Sequence, residues 1–259
     1  MPIDSFTLFT LGSLGLAIGF VGGLLGLVLG VLRYPLILSA GGVGVSLAMV
    51  AGTNIGISTL GAMTAALTHF RQNNVHLRIF AIMAGTGAVG AFIGSMLTRQ
   101  VPATLLFIVI GLIISFEAYS LIKSSRKNEY IEKYSIKPNL GIESSIGFGV
   151  GLLGGMVGLV LGSIRMPAMI AVLKMEPKVA VGTNLAASSI MGAAGLTGHL
   201  LSGNVDFLVL GVMGSTAMIG GYIGAKYTNR FSAKALKLLI GIILIFVAVM
   251  MFLKAAALI

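Results

Sequence analysis

The sequence predicts an all-α integral membrane protein with eight apolar segments in two inverted repeats. Each repeat is one re-entrant, broken Gly-rich helical hairpin plus three transmembrane helices. Three observations lead there. The first is composition: 57% of the 259 residues are apolar and only 9% charged, whereas a soluble domain carries about 25% charged residues. So little charge cannot cover a water-facing surface, and the mean hydropathy of +1.05 points the same way. The second is an internal duplication. Gly22, Gly23, Gly26, Gly30, Arg33 and Pro35 return as Gly154, Gly155, Gly158, Gly162, Arg165 and Pro167, 132 residues later. Further on, at an offset of 130, Gly52-Thr53-Asn54 returns as Gly182-Thr183-Asn184, His69 as His199 and Asn74 as Asn204. Repeats in apolar chains mark membrane carriers that bind cargo where the halves meet. The third is the distribution of lysine and arginine.

The apolar segments cover residues 6–32, 46–69, 78–98, 103–122, 142–164, 178–200, 206–227 and 235–257, most of them near the ~20 residues a spanning helix needs. If all eight simply cross, the basic residues divide almost evenly between the two sides. If instead 6–32 and 142–164 dip in, turn at Gly22-Gly23 or Gly154-Gly155 and return, one side collects most of them. It gains Arg71, Arg78, Lys123, Arg126, Lys127, Lys133, Lys137, Lys174, Lys178, Lys226, Arg230, Lys234 and Lys237. The other side keeps Arg99 and Lys254, with Arg33 and Arg165 set aside as intramembrane candidates. The positive-inside rule selects the second arrangement. Three crossings per half invert the second copy. Residues 1–122 then form the first repeat, 123–141 a charged linker and 142–259 the second repeat. The linker and basic loops are expected in the cytoplasm, both termini outside, and the protein in the plasma membrane. Glycine pairs permit the tight turn, and Pro35 and Pro167 interrupt the helical ladder again. Such backbone must be buried in protein or line a cavity.

Several function classes drop out. Without cysteine there is no disulfide or thiol chemistry. The net charge of +10 sits in short loops between apolar segments and is not read as a nucleic-acid surface. No basic n-region opens the chain, so no cleavable signal peptide is expected. There is no HExxH, nucleophile elbow or Walker sequence, and no enzyme, cofactor or metal site is predicted. The methionines read as gap-fillers in apolar runs.

The candidate binding residues are polar or glycine positions repeated in both halves. The stripes Gly22/Gly26/Gly30 and Gly154/Gly158/Gly162 suit close helix packing. The pairs Gly22-Gly23 and Gly154-Gly155 could alternatively expose helix N-termini to an anion. Arg33 and Arg165, flanked by apolar residues, either snorkel to an interface or attract an anion with bidentate donors. Thr53-Asn54 and Thr183-Asn184 either glue helices or contact cargo. Ser58, Ser188 and Ser189 lie one turn further on. His69 and His199 end equivalent segments, where capping or a proton relay are the alternatives. Glu117, opposite Val247 in the repeat, could carry a coupling proton or simply pack.

The duplicated pattern of a Gly-rich segment, a proline and then Ala51-Gly52-Thr53 or Ala180-Val181-Gly182-Thr183 resembles the TauE/SafE family of sulfite exporters over about residues 12–253. The resemblance implies a carrier of sulfur-containing anions energised by an ion gradient. It implies a site formed by Gly22, Gly23, Gly26, Gly30, Pro35, Gly52 and Thr53 together with Gly154, Gly155, Gly158, Gly162, Pro167, Gly182 and Thr183. The family's Gly-x-Gly-Gly-Gly run is replaced in both copies by Gly-Leu-Val-Leu-Gly followed by an arginine, which suggests that the arginines take over part of the anion binding.

The expectation is therefore a secondary transporter, an exporter by the resemblance, of sulfite, a sulfonate or a related oxyanion. The substrate-binding set is Gly22, Gly23, Gly26, Arg33, Thr53, Asn54, Gly154, Gly155, Gly158, Arg165, Thr183 and Asn184. Access would alternate by rocking of one repeat against the other. The expected partners are the small anion, the lipid bilayer, a coupling proton or sodium ion and a second copy in a homodimer, with no nucleic acid. An anion channel and a non-transporting membrane scaffold are the alternatives.

Overall fold

A computed structural model describes residues 5–30, 32–33, 37, 46–98, 102–125 and 139–256. The helices among them are α1 (Ser5–Leu25), α2 (Leu47–Arg71), α3 (Leu77–Leu97), α4 (Ala103–Ser125), α5 (Leu140–Val157), α6 (Gly162–Ala171), α7 (Pro177–Leu201), α8 (Phe207–Tyr227) and α9 (Ala233–Ala256). A 3-10 turn covers Thr228–Arg230, and there is no strand among the described residues. Seven helices are long and apolar enough to cross a membrane, whereas the ten residues of α6 reach only about 15 Å at 1.5 Å per residue. The protein is an all-α integral membrane protein. Pro35 and most of the charged linker lie outside the described residues. At the linker's two ends, α4 runs on to Ser125 and α5 already begins at Leu140.

The helices begin where the sequence supplies caps. Ser46, Asn139 and Asp206 accept from backbone N–H groups of the first turns of α2, α5 and α8, and Pro177 opens α7.

Equivalent helices of the two halves run antiparallel. Gly52 near the start of α2 lies against His199 near the end of α7, and Gly182 near the start of α7 lies against His69 near the end of α2. The same holds for α4 and α9, where Gly111 meets Phe252 and Gly241 meets Ile122. The repeat is inverted.

The hairpins are exchanged between halves. α1 packs in parallel on α8, with Gly15, Gly19 and Gly23 against Met213, Ala217 and Gly221. In the same way α5 packs on α3, with Gly147, Gly151 and Gly155 against Met83, Gly87 and Ala91. A Cβ on Gly151 would meet the carbonyl oxygen of Gly87, so these stripes exist to let backbones touch. The packing units are therefore α1–α2–α8 and α3–α5–α7, each drawn from both sequence halves.

Both hairpins return to the face they left. The start of α5 sits beside the start of α3 through Arg78 and Glu143. The start of α7 does so too, because Thr183 Oγ1 accepts from the backbone N–H of His76. In the first half, Thr53 Oγ1 accepts from the N–H of Asp206 and places the starts of α2 and α8 together, while α1 runs alongside α8. Hence Arg71, Arg78, Lys123, Lys174, Lys178, Lys226, Arg230, Lys234 and Lys237 gather at one face. Ser5 and Ala256, the described ends, lie at the other.

The turn is not at the glycine pairs. Gly22, Gly23, Gly154 and Gly155 remain helical. The helices stop at Gly26 and Gly158, with φ of +72° and +67°, in the left-handed region that glycine enters without a Cβ penalty. Gly158 also lies against the backbone of Ala51, which leaves no room for a side chain. This helix end is closed from within: the N–H groups of Gly158 and Leu159 donate to the carbonyls of Gly155 and Gly154. The turn is a helix C-terminus, and the N–H groups of Gly158 and Leu159 are spent on its own chain.

Candidate functional site

Where the two elbows meet, the short segments 26–30 and 158–162 run side by side in opposite directions, held at each end by an asparagine. Asn184 Nδ2 donates to the carbonyls of Gly26 (2.6 Å) and Gly162 (3.0 Å). Asn54 Nδ2 donates to the carbonyl of Gly158 at 3.0 Å, and its amide lies against Gly30. Carbonyls released from a helix inside a membrane need such donors. Both asparagines are fully buried. Thr53 and Thr183, equally buried, are occupied at the helix starts described above. Of the predicted set, Asn54, Asn184, Gly26 and Gly158 come together as a central clamp, and the threonines stand apart as interhelix ties.

His69 serves the same scaffold. His69 Nε2 donates to the carbonyl of Gly23 at 3.2 Å, and Asn74 Nδ2 approaches His69 Nδ1 at 3.5 Å. That pattern is the neutral tautomer protonated on Nε2, a fixed strut on α1. Glu117 lies on α4, and its side chain is outside the described residues.

The arginines are buried in both halves, Arg33 at 3% and Arg165 at 0% exposure, yet their surroundings differ. Arg165 makes four contacts. Its Nε donates to Asn184 Oδ1 (2.7 Å), and its Nη2 to the Asn184 carbonyl (3.1 Å) and to Ser188 Oγ (2.5 Å). Its Nη1 lies 2.7 Å from Met191 Sδ. Arg33 donates from Nη1 to Ser58 Oγ at 3.0 Å, while its Nε is buried with no partner among the described residues. Asn54 Oδ1, the counterpart of the acceptor that holds Arg165, is also without a partner. No carboxylate pairs with either arginine among the described residues, where the one ion pair is Arg78–Glu143 at 3.4 Å.

Arg33 lines a narrow cleft with Gly19, Gly22, Gly23, Ser58 and Gly61, closed across the seam by Leu185 of α7. A pseudo-symmetric narrow cleft lies in the second half, lined by Gly151, Gly154, Gly155, Leu159, Met191 and Ile55, without its arginine. Gly22, Gly23, Gly154 and Gly155 are thus wall residues of the two clefts. A buried cation with an open N–H, facing a cleft and with no carboxylate partner among the described residues, is an anion-attracting arrangement.

Sequence reasoning gave little weight to Ser58 and Ser188, one turn beyond the asparagines, and none to Gly61, Met191 and Glu143. Glu143 is fully buried in the first turn of α5, with Oε1 near Arg78 and the N–H of Asn139. The signal available was an acid at the start of an apolar segment and a basic residue at the start of α3. The pair stands at the basic face, away from the clefts.

Comparison with known proteins agrees with this architecture. The family model described as "Sulfite exporter TauE/SafE" matches residues 11–251. The chain is similar to the "Probable membrane transporter protein YdhB" of Bacillus subtilis, at 27% identity over 83% of this chain and 90% of the relative. It is also similar to YunE of the same organism, described likewise, at 25% over 90% and 93%. A "Probable membrane transporter protein" of Xylella fastidiosa is 27% identical over 96% and 95%. No solved structure matches.

Proposed function

This chain belongs to the sulfite exporter TauE/SafE family, a family of membrane transporters and not an enzyme class, and from that premise we propose that it carries a small sulfur-containing oxyanion, sulfite or a sulfonate, by alternating access. The observation that carries the reading is Arg33: buried, with its Nε unpaired, on a cleft at the seam between the two packing units. A lone charge in a low-dielectric site is unfavourable by several kcal/mol unless compensated. An oxyanion compensates it and accepts the planar fork of N–H donors in pairs. Ser58 adds a neutral hydroxyl within reach.

The division of packing supports a movement that differs from rocking one sequence half against the other. The swapped units α1–α2–α8 and α3–α5–α7 tilt about the α2–α7 contact, which carries both clamp asparagines. The basic face is cytoplasmic by the positive-inside rule, both termini are outside, and the direction is outward, driven by a proton or sodium gradient.

Flux of labelled sulfite and of a sulfonate in proteoliposomes is the test. Saturable uptake that falls at least tenfold in Arg33→Ala is expected. Absence of flux for every sulfur anion tried overturns the cargo, and unchanged flux in Arg33→Ala overturns the site. Large, non-saturating currents in bilayer recording would make the protein a channel.

A further inference from the structure

The repeat is nearly symmetric in its helices and unequal in its two clefts, and the inequality is written into one pair of residues. Gly61 and Met191 are equivalent positions, 130 residues apart. On the second-half side, Met191 reaches Arg165 Nη1 with its sulfur, 2.7 Å away, and itself lines the cleft. It is seated against a glycine: a Cβ on Gly87 would lie 2.5 Å from Met191 Cε. The equivalents of that pair are Gly61 and Ala217, and there the small residue is on the other partner. A Cβ on Gly61 would be 3.4 Å from the Ala217 Cβ. The bulk has changed places between the halves, Gly61 with Ala217 against Met191 with Gly87.

The consequence is chemical. Beside Gly61, Arg33 and Ser58 line the first cleft, and the Arg33 Nε and Asn54 Oδ1 have no partner among the described residues. With Met191 in place, Arg165 is folded back on Asn184 and Ser188, and the second cleft is lined without it. A thioether is a soft, weak acceptor on an apolar stem. It covers one nitrogen of the guanidinium and offers an incoming anion nothing.

We propose that the protein binds one small oxyanion per chain, in the first-half cleft at Arg33, and that Met191 makes the twin cleft non-binding by holding Arg165 in reserve as a structural strut. The inference rests on the anion-carrier reading, and deepens it by assigning unequal roles to the two arginines.

The experiment is saturation binding of labelled sulfite to the purified full chain, with two reciprocal swaps. Native protein takes up one sulfite per chain. Gly61→Met with Ala217→Gly transplants the second-half pair into the first half and weakens sulfite binding at least tenfold. Met191→Gly with Gly87→Ala transplants the first-half pair into the second and raises the stoichiometry to two. Two sulfites per native chain, or native affinity in the Gly61→Met/Ala217→Gly variant, overturn the single site. A stoichiometry that stays at one in Met191→Gly/Gly87→Ala overturns the role of Met191. No saturable binding to native protein overturns the sulfite-carrier reading itself, and this proposal with it. The two swaps are independent, so misfolding of one leaves the other decisive.

Discussion

Replacing either clamp asparagine with alanine tests the central crossing directly, because the structure assigns them unequal loads. Asn184 takes part in three side-chain hydrogen bonds: it donates to the Gly26 and Gly162 carbonyls and accepts from the charged Arg165 Nε. Asn54 makes one, to Gly158, and its Oδ1 is unpaired. Side-chain hydrogen bonds within membranes average about 0.6 kcal/mol and reach about 1.7, and those to charged groups are worth about 1.5–3. Asn54→Ala therefore loses roughly 0.6–1 kcal/mol. Asn184→Ala loses roughly 3–5 kcal/mol, since it also leaves Arg165 Nε and two carbonyls buried without partners. At about 2–4 °C per kcal/mol for a chain of this size, Asn54→Ala lowers the midpoint by about 1–4 °C. Asn184→Ala lowers it by about 6–20 °C. Thermal unfolding of the purified variants in one detergent measures the difference. Equal shifts would refute the reasoning, because they would mean that the two ends of the crossing carry equal weight.

The elbow itself is equally exposed to test. Gly158→Ala forces a Cβ into a left-handed residue at about 1–2 kcal/mol and against Ala51, so sulfite flux and thermal stability should both fall; a stable, active variant would contradict the observed turn. Glycine stripes should divide by contact. Gly149→Ala and Gly211→Ala, with nothing within 4 Å of the added Cβ, should leave the melting temperature unchanged or raise it by the helix-propensity gain of up to about 1 kcal/mol. Gly151→Ala, against Gly87, should lower it, and the opposite ranking would argue against the α3–α5 contact. The cysteine-free chain also allows the topology to be read from single cysteines. Phe6→Cys and Arg71→Cys should be labelled from opposite sides of sealed vesicles, and labelling from the same side would defeat the re-entrant first hairpin.

The duplication and its inversion were legible because each half carries the same Gly, Arg, Thr and Asn spacing and because lysine and arginine report the side of each loop. The antiparallel meeting of Gly52 with His199 and of Gly182 with His69 bears out that inference. The position of the elbow was not legible. Gly22, Gly23, Gly26 and Gly30 have the same composition and the same apolar neighbours, and only the sign of φ separates a packing glycine from a turning one. The exchange of hairpins between halves was hidden for a related reason, since α1 and α5 are equally glycine-striped and could lie on any small-residue face. Asn54 and Asn184 read as cargo contacts because a sequence shows the polar group and not the severed carbonyls it answers. Their work follows from the elbow, and could be deduced only once the elbow was placed. Equivalence between copies directs attention to what they share, and that shared part turns out to be the scaffold: clamp, struts, ties and packing stripes. The candidate chemistry lies where the copies differ, at Gly61 against Met191 and in Arg33 with its open Nε against Arg165 with none. In an inverted repeat the conserved spacing identifies the frame on which the helices are hung, and a broken equivalence beside a buried charge is the better guide to the side that binds.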